Sequence, residues 1–413
     1  DRTFQPKHRF AKDMLHAWVK RYTTDQAYLK DTQAIVQEMG EYQKLVRVDT
    51  TYCYGLQDQD CQRIMACWDG LHADNFLDKY NYMEWQILKH LNDSPIFLEI
   101  LALGNIMSPI ASLVLPIVFL LVPFVILKFQ GLPITFDVYS KVLKQVAKNH
   151  FIGKALTGWD SISPDKILYL IFMFGLYVMQ IYHNVMAVKR MYMNMRQLNQ
   201  DLLDLQKFCK HSIHSMDTFL KLHNTESPYT TEDGKQFTKK QSYNGFCEKT
   251  NMYCNKLRQL SFYLDSVTPF NHNLRKLADL GQMLGIYYQI YNVEEYRNAI
   301  QYAIGFEGYI DNLSGIYRHW NAGRMSMIEW SYKKKKSGKG ATKFVKQYYA
   351  GLVDPDQEED RPIVRNTVSL KKNWIITGPN ASGKTTLLKT TAINVILTQQ
   401  IGCGFYGERK TTI

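Results

Sequence analysis

From Ile100 to Leu127 the chain runs 28 residues without a formal charge, and a second uncharged run covers 22 residues from Ile167 to Val188. About 20 apolar residues suffice to cross the hydrocarbon core of a bilayer. A helix on a soluble core seldom stays uncharged for so long, because one of its faces must meet water. The two runs therefore predict two membrane segments, 100–127 and 167–188. Lys189-Arg190 closes the second and suits a headgroup layer.

Pro109, Pro116 and Pro123 recur every seven residues and share one face of the first segment. Each removes a backbone donor that lipid cannot replace. That segment is expected to kink, to re-enter the bilayer, or to pack its proline face on protein. Between the two runs, Lys141, Lys144 and Lys148 lie at helical spacing opposite Val138, Val142, Val146 and Phe151. This predicts an amphipathic helix, resting either on an anionic bilayer surface or on protein.

The remaining sequence reads as mainly helical. Residues 1–99 alternate helix-like stretches such as Phe10 to Lys20 with short polar breaks. No Gly or Pro occurs from Leu176 to Ser227, so the second membrane helix can continue into the soluble part as a stalk. Leu202, Leu205, Cys209, Ile213, Met216 and Leu220 give that stalk an apolar seam at spacings of three and four. The patch 224–241, with Pro228 and Gly234, predicts a loop, and helices are expected over 244–267 and 271–304. Lys333 to Gly340 is a basic, flexible run that suits solvent, nucleic acid phosphates or headgroups, and Asp354 to Asp360 is an acidic linker.

Four regions follow: a helical N-terminal region (1–99), a membrane hairpin with its amphipathic connection (100–190), a helical stalk and core (191–345), and the start of a C-terminal α/β domain (346–413). A chain of 413 residues exceeds the size of a single core, so several units are expected. Lys and Arg exceed Asp and Glu by 50 to 38, a balance that favours anionic partners without choosing among them. Seven cysteines with no C-x-x-C pair indicate neither a zinc site nor a complete disulfide framework, and reduced thiols are expected. No signal peptide is expected near Asp1.

The C-terminal region carries the chemistry. Asn373-Trp-Ile-Ile-Thr377 has a buried-strand pattern and is followed by Gly378-Pro-Asn-Ala-Ser-Gly-Lys-Thr385 and then a helical stretch from Thr386. A strand, a G-x-x-x-x-G-K-T loop and a helix in that order are the context of a phosphate-binding P-loop. Gly378 and Gly383 let the backbone close on phosphate across Pro379, Asn380, Ala381 and Ser382, with the amides up to Thr385 at the positive end of the helix. Lys384 would neutralise the β- and γ-phosphates of ATP, and the Thr385 hydroxyl would bind a Mg²⁺ that otherwise keeps its waters. Thr386 completes the candidate nucleotide-binding set.

Thr377-Gly-Pro-Asn-Ala-Ser-Gly-Lys-Thr-Thr-Leu-Leu-Lys389, followed by Gln399-Gln-Ile-Gly402, closely resembles the MutS family of DNA mismatch-repair ATPases. Arg361-Pro-Ile-Val-Arg-Asn-Thr-Val-Ser-Leu370 is similar to that family's entry into its ATPase domain. The resemblance covers residues 361–405. It implies an ABC-type ATPase fold, ATP with Mg²⁺, a homodimer through the ATPase domains, and a nucleotide-driven clamp on DNA. A two-span hairpin would then place both flanks, and the nucleotide domain, on the cytosolic side of the membrane. ABC transporters share the loop, but Ile401 to Tyr406 lacks their Pro-x-x-Gly turn.

Two departures limit what carries over. The family's mismatch-reading Phe-x-Glu has only Phe97-Leu-Glu99 as a counterpart, at the mouth of a membrane segment. No apolar strand ending in Asp-Glu precedes Ile413, so no catalytic carboxylate is identified. A structural or scaffold protein of a membrane or virion, keeping the P-loop as a nucleotide-stabilised element, is the alternative.

Overall fold

The computed structural model describes residues 2–48, 56–129, 131, 135–147, 164–224, 229–230, 234, 236–270, 279–330, 342–352, 363–371 and 373–407. Lys148, Phe151, Pro228, the basic run 333–340, the acidic linker 354–360 and Arg361-Pro362 lie outside them. The protein is mainly helical, at 72%. Its helices are α1 (Arg9–Trp18), α2 (Gln26–Val48), α3 (Asp58–Leu71), α4 (Phe76–Lys79), α5 (Pro95–Phe129) and α6 (Phe136–Ala147), then α7 (Pro164–His223), α8 (Asn244–Leu264), α9 (Leu280–Asn292), α10 (Glu294–Asn321) and α11 (Lys384–Ile401). Among the described residues six short strands form three antiparallel pairs: β1 (Tyr229–Thr230) with β2 (Gln236–Phe237), β3 (Ser326–Met327) with β6 (Cys403–Gly404), and β4 (Lys343–Gln347) with β5 (Asn366–Ser369).

The chain forms two compact units. The first comprises Asp1–Asp69, Leu203–Ser266 and Val293–Ile413, and the second Gly70–Leu202 and Val267–Asn292.

In the second unit α5 is one continuous helix through its prolines. Of the three outcomes open to the proline face, packing on protein is the one found, since Pro123 is buried and Pro109 half-buried. The Ser112 hydroxyl donates to the Pro109 carbonyl at 2.7 Å and accepts from the Asn184 amide of α7, so the polar groups beside the proline face serve one another. Elsewhere both helices present apolar side chains outward, including Val118, Leu121 and Phe124 on α5 and Ile171, Phe172 and Met179 on α7. Among the described residues two helices are thus long and apolar enough to cross a membrane, over Pro95–Ser112 and within Ile171–His223, and their apolar 18-residue windows are 11% and 0% buried. Such low burial is the reverse of a core helix.

The connection α6 packs on α5, with Lys141 facing out and Val138 and Val142 half-buried. Helix α9 lies close on the start of α5 at Gly281, where a Cβ would meet the Pro95 carbonyl and, at 2.7 Å, Glu99. Beside it Phe76 stacks on Tyr291 at 4.2 Å, and the Tyr82 hydroxyl donates to the Leu284 carbonyl at 2.7 Å.

The first unit is built around residues 203–223 of α7. Its expected apolar seam is wider than a coiled-coil stripe: Leu205, Phe208, Cys209, Met216, Phe219 and Leu222 are all buried. Phe208 meets Phe10 of α1, while Phe219 makes edge contacts with Tyr42 of α2, Phe246 of α8 and Phe306 of α10. Four helices enclose this stretch, so it is a core helix and not a bare stalk. The helix expected over 271–304 is divided, because Val293 is extended and α10 begins afresh at Glu294-Glu295, acidic residues that suit a helix N-terminus.

Burial extends to charge. Burial pushes the Glu307 carboxyl up, but His211 at 3.5 Å, with Ser215 and His8, outweighs this and holds it below its ordinary value. His223 and His319 are both driven down, chiefly by burial. His319 Nε2 lies 2.8 Å from the Arg2 carbonyl, and its Nδ1 is buried without a partner. The six described cysteines are free and buried, and burial pushes the Cys209 thiol up to about 12.

Two expected outcomes follow from this core. A histidine with a lowered folded pKa contributes stability that is full above its unfolded value of 6.5 and is lost as pH falls through the folded value. The urea midpoint of the detergent-solubilised protein should therefore drop on going from pH 7.5 to pH 5.5; an unchanged midpoint would contradict the neutral buried imidazoles. At Gly308 of α10 a Cβ would stand 2.5 Å from the Phe10 carbonyl. Gly308→Ala should cost about 1–3 kcal/mol, the usual range for overpacking, measured by the same titration.

Candidate nucleotide site

The P-loop lies at the start of α11 in the first unit, and local backbone conformation explains its shape. Gly378 has φ 153°, Ala381 φ 61° and Gly383 φ 87°. Successive turns of this kind bring backbone N–H groups to one concave side, which is the arrangement that holds anions. A Cβ at Gly378 would stand 2.9 Å from the Ser382 hydroxyl, so the loop needs glycine there. Ala381 is an L-residue in left-handed conformation, which costs on the order of 1 kcal/mol.

Lys384 is the first residue of α11. Its ammonium donates to the carbonyls of Gly378 at 2.6 Å and Pro379 at 2.5 Å, closing the loop on itself. Carbonyl partners of this kind are exchangeable for phosphate oxygens, which offer a charge-assisted bond.

The far end of α11 is fixed as firmly. Gly402 caps the helix in left-handed conformation at φ 72°, and a Cβ there would stand 3.0 Å from the Leu29 carbonyl. Gln33 of α2 donates to the Gly402 carbonyl at 2.5 Å. The Ile401-Gly402 pair thus has a local reason in helix termination. Along its side, buried Gln347 of β4 donates to Thr391 at 2.6 Å, and Asn394 exchanges hydrogen bonds with the backbone of Phe405.

A cavity of about 710 Å³ opens beside the loop. Ser382, Gly383, Lys384 and Thr386 line it, together with Ile376 and Thr377. Gly378, Pro379, Asn380, Ala381 and Thr385 are exposed and outside its lining. The opposite wall comes from Arg2, Tyr348, Tyr349, Ile363, Val364 and Asn366. This volume lies within the range of about 300–1,000 Å³ usual for small-molecule sites. Among the described residues that line the cavity none is acidic, and Arg2 and Lys384 are cationic, so their field favours an anion.

Sequence reasoning missed Arg2, Tyr348 and Tyr349. Tyr348-Tyr349 follows β4 without any motif, and Arg2 arrives from the opposite end of the chain, its guanidinium bonded to the Gly351 carbonyl. Ile363, Val364 and Asn366 lie in the segment singled out as the entry to the ATPase domain, which was the one available signal.

Residues 373–377 depart from their expected buried-strand character. They form no strand, and Trp374 and Ile375 are 54% and 91% exposed. A central strand is buried only when neighbours flank it on both edges and cover its faces, and the described sheets are antiparallel pairs.

For Mg²⁺, Thr385 stands exposed on the first turn of α11. Among the described residues no group of three His, Cys, Asp or Glu could hold a metal. Comparison of the chain with family models, with curated proteins and with solved structures finds no match in any of the three.

Lys384→Ala removes the cationic group that closes the loop and should abolish ATP binding. A ligand at a hundred times its Kd stabilises a folded protein by about 2.7 kcal/mol. MgATP at that excess should raise the thermal midpoint of the wild-type protein and leave that of Lys384→Ala unmoved; an equal rise in both would remove Lys384 from the site.

Proposed function

We propose that this chain is a membrane-anchored, MutS-like ATPase that binds ATP with Mg²⁺ at its P-loop and acts on or near DNA through a nucleotide-driven clamp. The observation that carries the reading is the closure of Lys384 on the Gly378 and Pro379 carbonyls at the head of α11, beside a cavity whose described lining holds Arg2 and no acidic residue. Gly378 to Thr386 would form the nucleotide cradle, Thr385 would bind the Mg²⁺, and two copies would pair through their ATPase domains. The uncharged, outward-facing stretches 100–127 of α5 and 167–188 of α7 support anchorage in a lipid bilayer, and an ATP site would put the nucleotide side towards the cytosol. DNA enters through the resemblance at 361–405 and the net charge of +12.

Binding energy at the γ-phosphate can shift a clamp only by as much as it differs between open and closed states. A second reading, a structural membrane protein in which the nucleotide stabilises the fold, is supported by the ties of α11 to α2 and β4 through Gln33 and Gln347, which make the helix behind the loop part of the core.

Turnover decides between them. In the full-length protein in nanodiscs, ATP hydrolysis stimulated by DNA supports the clamp, whereas a nucleotide-dependent rise in thermal midpoint without turnover supports the structural reading. Carbonate washing should leave the protein in the membrane pellet; its release into the supernatant would refute the anchor.

A further inference from the structure

A second and larger cavity, of about 1150 Å³, lies in the first unit and shares no lining residue with the cavity at the P-loop. Its walls are aromatic. Trp18 stacks with Tyr309 at 5.6 Å, Tyr28 with Tyr243 at 5.2 Å, and Tyr253 with Tyr302 at 4.5 Å, and all six line the space. These rings are held in place from behind. Tyr243 shares a hydrogen bond with Tyr309 at 2.9 Å, and Tyr302 shares one with Thr250 at 2.7 Å. The stacked pairs leave their outer faces and edges as the surface offered to an occupant, except that Phe4, stacked at 5.0 Å, covers the other face of Trp18.

The mouth has the opposite chemistry. Lys20, Arg21 and Lys249 are exposed there, and none has an ion-pair partner among the described residues. The one carboxylate in the lining, Asp25, is committed elsewhere, since it accepts from the backbone of Ala27 at 2.9 Å and of Tyr28 at 3.3 Å at the start of α2. One further group points to a ligand. Trp18 is 7% exposed, and its indole N–H, a donor, has no acceptor. Buried donors left open in this way are uncommon unless something accepts from them.

We propose that this cavity binds a nucleotide unit, a planar base taken between the aromatic walls with its phosphate held by Lys20, Arg21 and Lys249. Aromatic platforms under a cationic rim are the sequence-tolerant means of holding bases on a phosphate backbone. The volume exceeds what a small-molecule site usually needs and accommodates more than one such unit. Neither the walls nor the rim distinguishes a free nucleotide from a nucleotide within a single strand. The proposal stands apart from the reading of the P-loop and does not require it.

The test uses the full chain in phosphatidylcholine nanodiscs carrying Lys384→Ala, so that the P-loop cannot contribute. Fluorescence anisotropy is measured with a labelled deoxyadenylate dinucleotide and with a labelled short deoxyadenylate strand. Saturable binding that weakens at least about tenfold in Arg21→Glu/Lys249→Glu and at least about fivefold in Tyr22→Ala, whose exposed ring lines the same cavity, is expected, as loss of phosphate contacts and of one stacking ring would give. All three side chains are exposed, so the variants should fold; an unchanged thermal midpoint verifies this. Equal affinity for both probes assigns the site to free nucleotides, and a strong preference for the strand assigns it to single-stranded nucleic acid. Absence of saturable binding of either probe, or binding indifferent to the charge reversal, overturns the proposal.

Discussion

The enclosure of Phe219 by Tyr42, Phe246 and Phe306 is the interaction on which the first unit depends. These residues come from α7, α2, α8 and α10, so three separated stretches of chain meet at one ring cluster. Edge-to-face contacts of this kind add roughly 0.5–1.5 kcal/mol per pair beyond the area buried. The Glu307–His211 pair lies in the same core, and a buried pair of this sort costs much to break once formed. Gly308 and Gly315, on one face of α10, then let the backbone at Phe10 and Phe4 approach more closely than any side chain would allow.

The P-loop inherits its rigidity from this core. Helix α11 is tied to α2 through Gln33 and Gly402, and to β4 through Thr391 and Gln347. At its C-terminal end the Gln399 carbonyl accepts from the Thr23 backbone and Gln400 donates to the Trp18 carbonyl, at 2.8 and 2.6 Å. A phosphate cradle works only if its amides stay aimed without a ligand to aim them. Both candidate cavities therefore touch the same helix, one at Lys384 and the other at Gln400.

In the second unit the governing constraint is different. Two helices keep apolar residues on their outer faces, where a water-exposed helix would be charged, and their shared polar groups, Ser112 and Asn184, turn towards each other. The prolines of α5 follow the same logic: a missing backbone donor is harmless when the surrounding face is protein.

The sequence by itself determined what short-range physics controls. The uncharged runs announced α5 and the start of α7 through length alone, and the spacing of Gly378, Gly383 and Lys384 announced a tight loop at the head of α11, with both glycines at positive φ and the lysine closed on the loop carbonyls. The Gly- and Pro-free stretch after Leu176 likewise foretold an uninterrupted helix. Tertiary structure decided the rest. Whether 203–223 was a stalk or a core could not be read from its apolar seam, since burial depends on how many helices arrive to cover it. The apolar pattern of 373–377 did not become a strand among the described residues, because a strand needs neighbours to pair with it and cover it. Arg2, Tyr348 and Tyr349 face the P-loop from 29 to 382 positions away in sequence, counted from Gly378 and Lys384, and the aromatic cavity joins α1, α2, α8 and α10. Contacts that long in sequence leave no periodicity for a reader of the chain to find.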